Sequence, residues 1–246
     1  MFYVDAHCHI EDKNFNKNRD EIIERSKKEN VIIITSGASL GGCLRALKFK
    51  KKYNIYLTLG YHPSRVKADD KVVEKVYNLI RGNENEILAV GEIGMDIKDE
   101  NYERQEEIFK KFLSLAVELD KPIVVHARGF ERKIFDICKD KVDIMFHCYS
   151  GDLETAKNIC REGNLISIST LLCFSEHHKK LVENLDIDYL ITETDSPYLS
   201  PIKGKKNEPK NVKLVVEEIA KIKEMDVDEV KKVIYKNACK FFKRRL

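Results

Sequence analysis

Val4-Asp5-Ala6-His7-Cys8-His9 places two imidazoles two residues apart at the end of a short apolar run. On an extended strand, residues i and i+2 point to the same face. His7 and His9 therefore project side by side, as half of a metal site. The pattern of this stretch, a short apolar run that closes on a potential ligand, recurs along the chain. Strand candidates follow at 31–36, 55–60, 87–92, 123–126, 144–147, 165–168 and 189–193, with charged segments of helical period between them. Continuous apolar runs, rather than alternating ones, indicate strands covered on both faces, as in parallel sheets wrapped by helices. Eight strands alternating with helices predict an α/β fold of the (β/α)8 TIM-barrel type. The length of 246 residues suits a single barrel domain, which usually takes about 250.

Helical spacing is clearest over 99–119, where Ile108, Phe109, Phe112, Leu115, Ala116 and Leu119 form an apolar stripe that ends before Lys121-Pro122. A first helix is expected over 17–29, and an extra C-terminal helix over 226–242, its end carrying Lys240, Lys243, Arg244 and Arg245. The composition, 43% hydrophobic and 35% charged with no Trp, is that of a globular chain with densely charged helix surfaces. A net charge of +3 excludes a global field strong enough to hold nucleic acid non-specifically, so any phosphate recognition must be local. Seven scattered cysteines without a Cys-x-x-Cys pair fit a reducing compartment, and no leader or membrane-spanning run is evident; a cytoplasmic protein is expected.

The informative residues sit where the strand candidates end. His7 and His9 close the first, Glu92 the fourth, His126 the fifth and His147 the sixth, while Asp195 lies just past the eighth. In an α/β barrel the C-terminal strand ends open onto one face, where active sites are built. Imidazoles with carboxylates form a donor set suited to Zn²⁺, Mn²⁺, Co²⁺ or Ni²⁺ and less obviously to Mg²⁺. Six ligands exceed what one tetrahedral ion needs, so two ions sharing a carboxylate are inferred.

The segments Asp5-Ala6-His7-Cys8-His9, Gly60-Tyr61-His62-Pro63, Gly91-Glu92-Ile93-Gly94-Met95-Asp96, Pro122 to Arg128, His147-Cys148-Tyr149-Ser150-Gly151 and Thr192-Glu193-Thr194-Asp195-Ser196-Pro197-Tyr198 resemble, in order, the TatD family of metal-dependent hydrolases within the amidohydrolase superfamily. The resemblance implies a (β/α)8 barrel, two divalent cations per chain (Mg²⁺, Mn²⁺ or Zn²⁺) and a deoxyribonuclease activity, often 3′ to 5′ exonucleolytic. It further implies that His7 and His9 hold the first metal, Glu92 bridges both, His126 and His147 hold the second, and Asp195 completes the first. Asp195 is also the best candidate general base, and a bridging carboxylate such as Glu92 offsets the repulsion between two cations.

Around this set, Arg128 shares the facing of His126 and could clamp a phosphate, and His62 could contact substrate from the rim. Glu193 is expected to partner a ligand imidazole. The basic loop Lys203-Gly204-Lys205-Lys206-Asn207-Glu208-Pro209-Lys210 could steady a DNA backbone, and Tyr61, Tyr149 and Tyr198 are candidates for base stacking. His177 and His178 are expected to be solvated. Glu11 stands where the family usually has Asp and is assigned no role.

The resulting expectation is a phosphodiesterase acting on DNA, single-stranded or at 3′ ends, with no membrane and no stable protein partner. Two alternatives stand beside it. One is an amidohydrolase acting on a small amide, ester or lactone, since the same activated water attacks carbonyl carbon. The other is a non-catalytic metal-binding scaffold.

Overall fold

The apolar runs form eight strands: β1 Tyr3–Cys8, β2 Val31–Gly37, β3 Tyr56–Leu59, β4 Val90–Gly94, β5 Ile123–His126, β6 Ile144–Phe146, β7 Leu165–Ile168 and β8 Leu190–Thr192. They pair in parallel in chain order. Between and after them run α1 Arg19–Lys28, α2 Leu40–Tyr53, α3 Asp70–Arg81, α4 Tyr102–Glu118, α5 Glu131–Cys138, α6 Leu153–Arg161, α7 Glu176–Asn184, α8 Val212–Lys223 and α9 Val227–Phe241. This computed structural model describes residues 1–246. The architecture is a (β/α)8 barrel with α9 added beyond the eighth unit. No helix is long and apolar enough to cross a membrane.

The barrel closes at the β1–β8 seam through both side-chain and backbone bonds. The Thr192 hydroxyl donates to the Val4 carbonyl at 2.7 Å, the Thr194 N–H to Asp5 Oδ1 at 2.8 Å, and the Asp195 N–H to the His7 carbonyl at 3.0 Å. α9 covers the opposite end of β8, where Asn237 Nδ2 donates to the carbonyls of Ile187 and Leu190.

Helix boundaries follow local chemistry. The Asn101 side chain caps α4 by accepting from the Arg104 N–H, and the apolar stripe of this helix, including Phe109, Phe112 and Leu115, is buried against the sheet. Ser39 caps α2 in the same way by accepting from the Gly42 N–H, and Asn54 ends it at φ +51°.

β4 differs from expectation. It runs over Val90–Gly94, not 87–92, so Glu92 is the middle residue of the strand and does not close it. The register against β5 slips between Gly91 and Ile93, leaving Glu92 as the extra residue of a bulge, and a second slip in β1 lies between Asp5 and Cys8, around His7. A bulge re-aims a side chain, and both bulges in this barrel fall at residues of the expected metal site. Gly94 allows β4 and β5 to meet here: its φ is +147° and a Cβ would lie 1.8 Å from the His126 carbonyl oxygen.

Candidate metal centre

The end of β1 and the chain after β8 are held together by buried polar groups. Asp5 is fully buried and accepts from both the N–H and the hydroxyl of Thr194, at 2.8 and 2.7 Å. The Ser196 N–H donates to the same hydroxyl, and the His9 N–H to the Ser196 carbonyl at 2.7 Å. This clasp fixes Asp195, whose φ of +53° turns the chain, beside the two histidines of β1. Burial pushes the Asp5 carboxyl well above its usual range, against the lowering effect of its bonds to Thr194.

Glu92 sits at the centre with its two oxygens facing different groups. Oε1 lies 3.1 Å from His126 Nδ1 and 3.3 Å from His147 Nε2. Oε2 lies 3.7 Å from His7 Nε2 and 3.8 Å from His9 Nε2. Asp195 Oδ1 approaches the same two nitrogens, at 3.8 and 3.5 Å. The structure thus brings together His7, His9, Glu92, His126, His147 and Asp195, and potential ligand atoms gather into groups that could each hold an ion.

The imidazole tautomers follow from their outer neighbours. His9 Nδ1 lies 2.9 Å from the Ser36 carbonyl, which can only accept; His147 Nδ1 lies 2.9 Å from Glu193 Oε1; His126 Nε2 lies 2.8 Å from Asp96 Oδ2. In the neutral rings each outer nitrogen then carries the proton and each inner nitrogen presents a lone pair to the centre, the arrangement in which metal-binding histidines are held. Of these imidazoles only His7 has an outer nitrogen, Nδ1, that is buried without a partner. The inner nitrogens of His7 and His9 are 3.3 Å apart, the edge spanned by two ligands at ~2.0–2.1 Å from one ion with an angle of roughly 105–110°, close to tetrahedral.

The electrostatics fit cations. Burial disfavours charge on Glu92, yet His62, His147 and His126 outweigh it and hold the carboxyl well below its usual range. Burial likewise opposes charge on His147, but Glu193 and Glu92 push it up to about 9. His9 is raised against burial by Asp195 and Glu11, and His126 by Asp96 and Glu92. His7 is lowered by burial and by the His147 ring stacked 3.8 Å away. The carboxylates draw positive charge onto the cluster, which protons supply when the protein is alone and which divalent cations would supply at the same atoms.

His62 differs from the other four. Its Nδ1 accepts from the Ser64 N–H at 3.0 Å, so in the neutral ring the proton is on Nε2, 3.4 Å from Glu92 Oε1. That nitrogen is a donor facing the centre, not a lone pair. Arg128 is half-exposed, 3.5 Å from Asp96, and lines the same cavity. The cavity, of about 330 Å³, opens over Glu92, His126, His147 and Asp195.

Glu193 lies where expected: it accepts from His147 and, through its second oxygen, from the Ser167 hydroxyl at 2.6 Å. Other expectations are corrected. Glu11 is buried, accepts from Thr35 at 2.7 Å and lies 3.4 Å from His9 Nδ1, because the chain turns after His9, where the Asp12 N–H donates to the His9 carbonyl at 2.9 Å, and the turn brings residue 11 back against the imidazole. Asp96, quoted in the Gly91 to Asp96 segment without a role, partners His126; His126 and Arg128 hold its carboxyl at about 2 against the effect of burial. Tyr61 and Tyr149 are buried, donating to the carbonyls of Arg65 and Asp152, and offer no stacking face. Tyr198, half-exposed on the cavity rim, does. His177 is exposed, but His178 is buried and bonded to Ser175 at 2.8 Å, since adjacent helical residues diverge and one faces inward. None of residues 203–210 lines the cavity; Asn207 instead anchors the loop by donating to the Thr194 carbonyl at 2.8 Å.

Comparison with known proteins gives the family and the fold. The family model described as TatD related DNase matches residues 4–243. An uncharacterised metal-dependent hydrolase of Methanocaldococcus jannaschii is 86% identical over 99% of this chain and 98% of its own length. The human deoxyribonuclease TATDN3 is 30% identical over 97% of this chain and 94% of its own. Among solved structures, the TatD homologue YjjV of Escherichia coli superposes with a TM-score of 0.91 at 24% identity, covering 98% of both chains.

Proposed function

This chain belongs to the TatD family of metal-dependent hydrolases, and we propose that within it the protein is a deoxyribonuclease that removes nucleotides from 3′ ends of DNA with two divalent cations, Mg²⁺, Mn²⁺ or Zn²⁺. The observation that carries this reading is the split facing of Glu92: one oxygen toward His126 and His147, the other toward His7 and His9, which Asp195 also approaches. His7, His9 and Asp195 would hold one ion, His126 and His147 the other, and Glu92 both.

Bound there, the cations would supply Lewis acidity toward a phosphoryl oxygen and raise the acidity of an attacking water. Asp195, placed at the cavity edge by the β1–β8 clasp, takes the proton from that water as its oxygen bonds to phosphorus. The bond from phosphorus to the departing sugar oxygen breaks, and that oxygen regains a proton. His62 Nε2–H and the Arg128 guanidinium face the same cavity and orient the non-bridging oxygens. Glu193, Asp96, Ser36 and Glu11 hold the ring orientations that keep inner lone pairs aimed at the centre.

Digestion of 5′-labelled single-stranded DNA with Mg²⁺ or Mn²⁺, beside a chelator control and Asp195→Asn, tests this. The expected result is a ladder shortening from the 3′ end that both controls abolish. Intact DNA in the presence of fully metal-loaded protein would exclude DNA as the substrate.

A further inference from the structure

The cavity above the candidate metal centre is not evenly charged. Its wall after β2 and β3 carries Ser39, Arg45, Ser64 and Arg65. Arg45, on the second turn of α2, is oriented by one bond from Nε to the Glu11 carbonyl at 2.9 Å, and its Nη1 lies over Gly41, where a Cβ would come within 3.2 Å. That bond uses one of five N–H groups and leaves four. Arg65, in the short turn Pro63–Arg65 capped by His62, makes no side-chain hydrogen bond at all. Neither guanidinium is paired with a carboxylate, whereas Arg128 across the cavity keeps Asp96 at 3.5 Å. His62 links this wall to the centre, bonding Ser64 through one nitrogen and facing Glu92 with the other.

On the other side, beyond His147 and Asp195, the space narrows to a recess of about 100 Å³ whose lining is mixed, with Phe146, Leu171 and Leu199 beside Arg128 and Glu131. Its one guanidinium, Arg128, keeps Asp96 at 3.5 Å, whereas the two of the β2–β3 wall have no carboxylate partner and are the ones free to take an anion next to the reacting group.

We propose that Arg45 and Arg65 form a second anion subsite that binds a non-scissile phosphate adjacent to the one being cleaved, so that the enzyme selects chains over isolated phosphodiesters. Two guanidiniums, one from α2 and one from the turn after β3, match the charge and the several acceptor oxygens of a phosphate. The first turn of α2, with Ser39 and Gly42 on the same wall, adds a favourable dipole. This inference rests on the phosphodiesterase reading of the site.

The test compares dTpdT, which has one phosphorus, with pdTpdT and dTpdTp, which add a phosphate at one end or the other. The wild type is expected to prefer one of the two phosphorylated forms by roughly tenfold or more in kcat/KM, and Arg45→Gln/Arg65→Gln to lose most of that preference. Absence of any preference, or a preference that survives in the double variant, would overturn the subsite. Binding of pdTpdT to chelator-treated protein separates this from failure of the phosphodiesterase reading, because it requires no turnover. There the double variant should bind about tenfold more weakly. Equal affinity in both proteins would again overturn the subsite. If no dinucleotide is cleaved, but an amide bearing a free carboxylate is and its turnover depends on Arg45 and Arg65, the anion is a carboxylate and the phosphate assignment is wrong. Neither residue forms an ion pair, so the variant should keep the wild-type melting temperature, which circular dichroism checks.

Discussion

The two ends of the same eight strands are built for opposite purposes. At their N-terminal ends Val4, Leu57, Val90, Ile123, Ile144 and Leu190 are fully buried apolar side chains packed in one continuous core. A few residues later the same strands carry His7, Glu92, His126 and, beyond β6 and β8, His147, Glu193 and Asp195, also buried or nearly so. Burial is common to both ends, but its energetic consequence is not. At the apolar end each side chain removed from water contributes about 1.5–3 kcal/mol. At the other end burial works against every charged group and is offset only by partners, so the site is a place where stability is given up for reactivity.

Substitutions at the two ends should therefore separate turnover from stability. The largest effect is expected for Asp195→Asn, which removes the proton acceptor: kcat on DNA should fall by about 10²–10⁴-fold with little change in melting temperature. A large loss of melting temperature in that variant would show that Asp195 is part of the structural clasp rather than the chemistry. At the opposite end, Leu57→Ala should destabilise by about 2–5 kcal/mol in urea titration while the folded fraction keeps its specific activity. If activity per folded molecule collapsed as well, the separation of the two ends would be false.

A smaller effect is expected between these extremes. Glu193→Gln keeps the shape but weakens the acceptor for His147 Nδ1–H, and should cost about 10–100-fold in metal affinity measured by competition with a chromophoric chelator. Unchanged affinity would mean that His147 does not bind metal. The smallest concerns His178, outside the centre, whose pKa burial, with His177 beside it, lowers to about 4. The unfolded chain, with histidine near its usual 6.5, takes the proton first, so this residue's contribution to stability is full above 6.5 and is lost as pH falls toward 4. Denaturation midpoints at pH 7 and pH 4.5 should drop more for wild type than for His178→Asn; an equal drop would place the titration elsewhere.

Much of this contrast could be read from the chain before any coordinates. Apolar runs are continuous where strands are covered on both faces, and a ligand-type residue after a run marks the catalytic face, so His7, His9, His126, His147 and Asp195 stand out. Glu193 followed from strand parity. What escaped was what parity does not encode. The slips around His7 and at Glu92 depend on how neighbouring strands fit, and the late start of β4 leaves 87–89 as a buried approach to the strand. Asp96 and Glu11 lie beyond strand ends, where turn geometry decides direction. Arg45 sits in the lysine-rich sequence of α2 and looks like any surface cation; only the fold turns it toward the cavity and leaves it unpaired.

The claim on which the rest depends is that Glu92 stands between two cations. Anomalous diffraction from crystals soaked in Mn²⁺ tests it directly. The account predicts two peaks, one among His7, His9 and Asp195 and one beside His126 and His147, with a Glu92 oxygen on each. A single peak, or peaks away from Glu92, would contradict it.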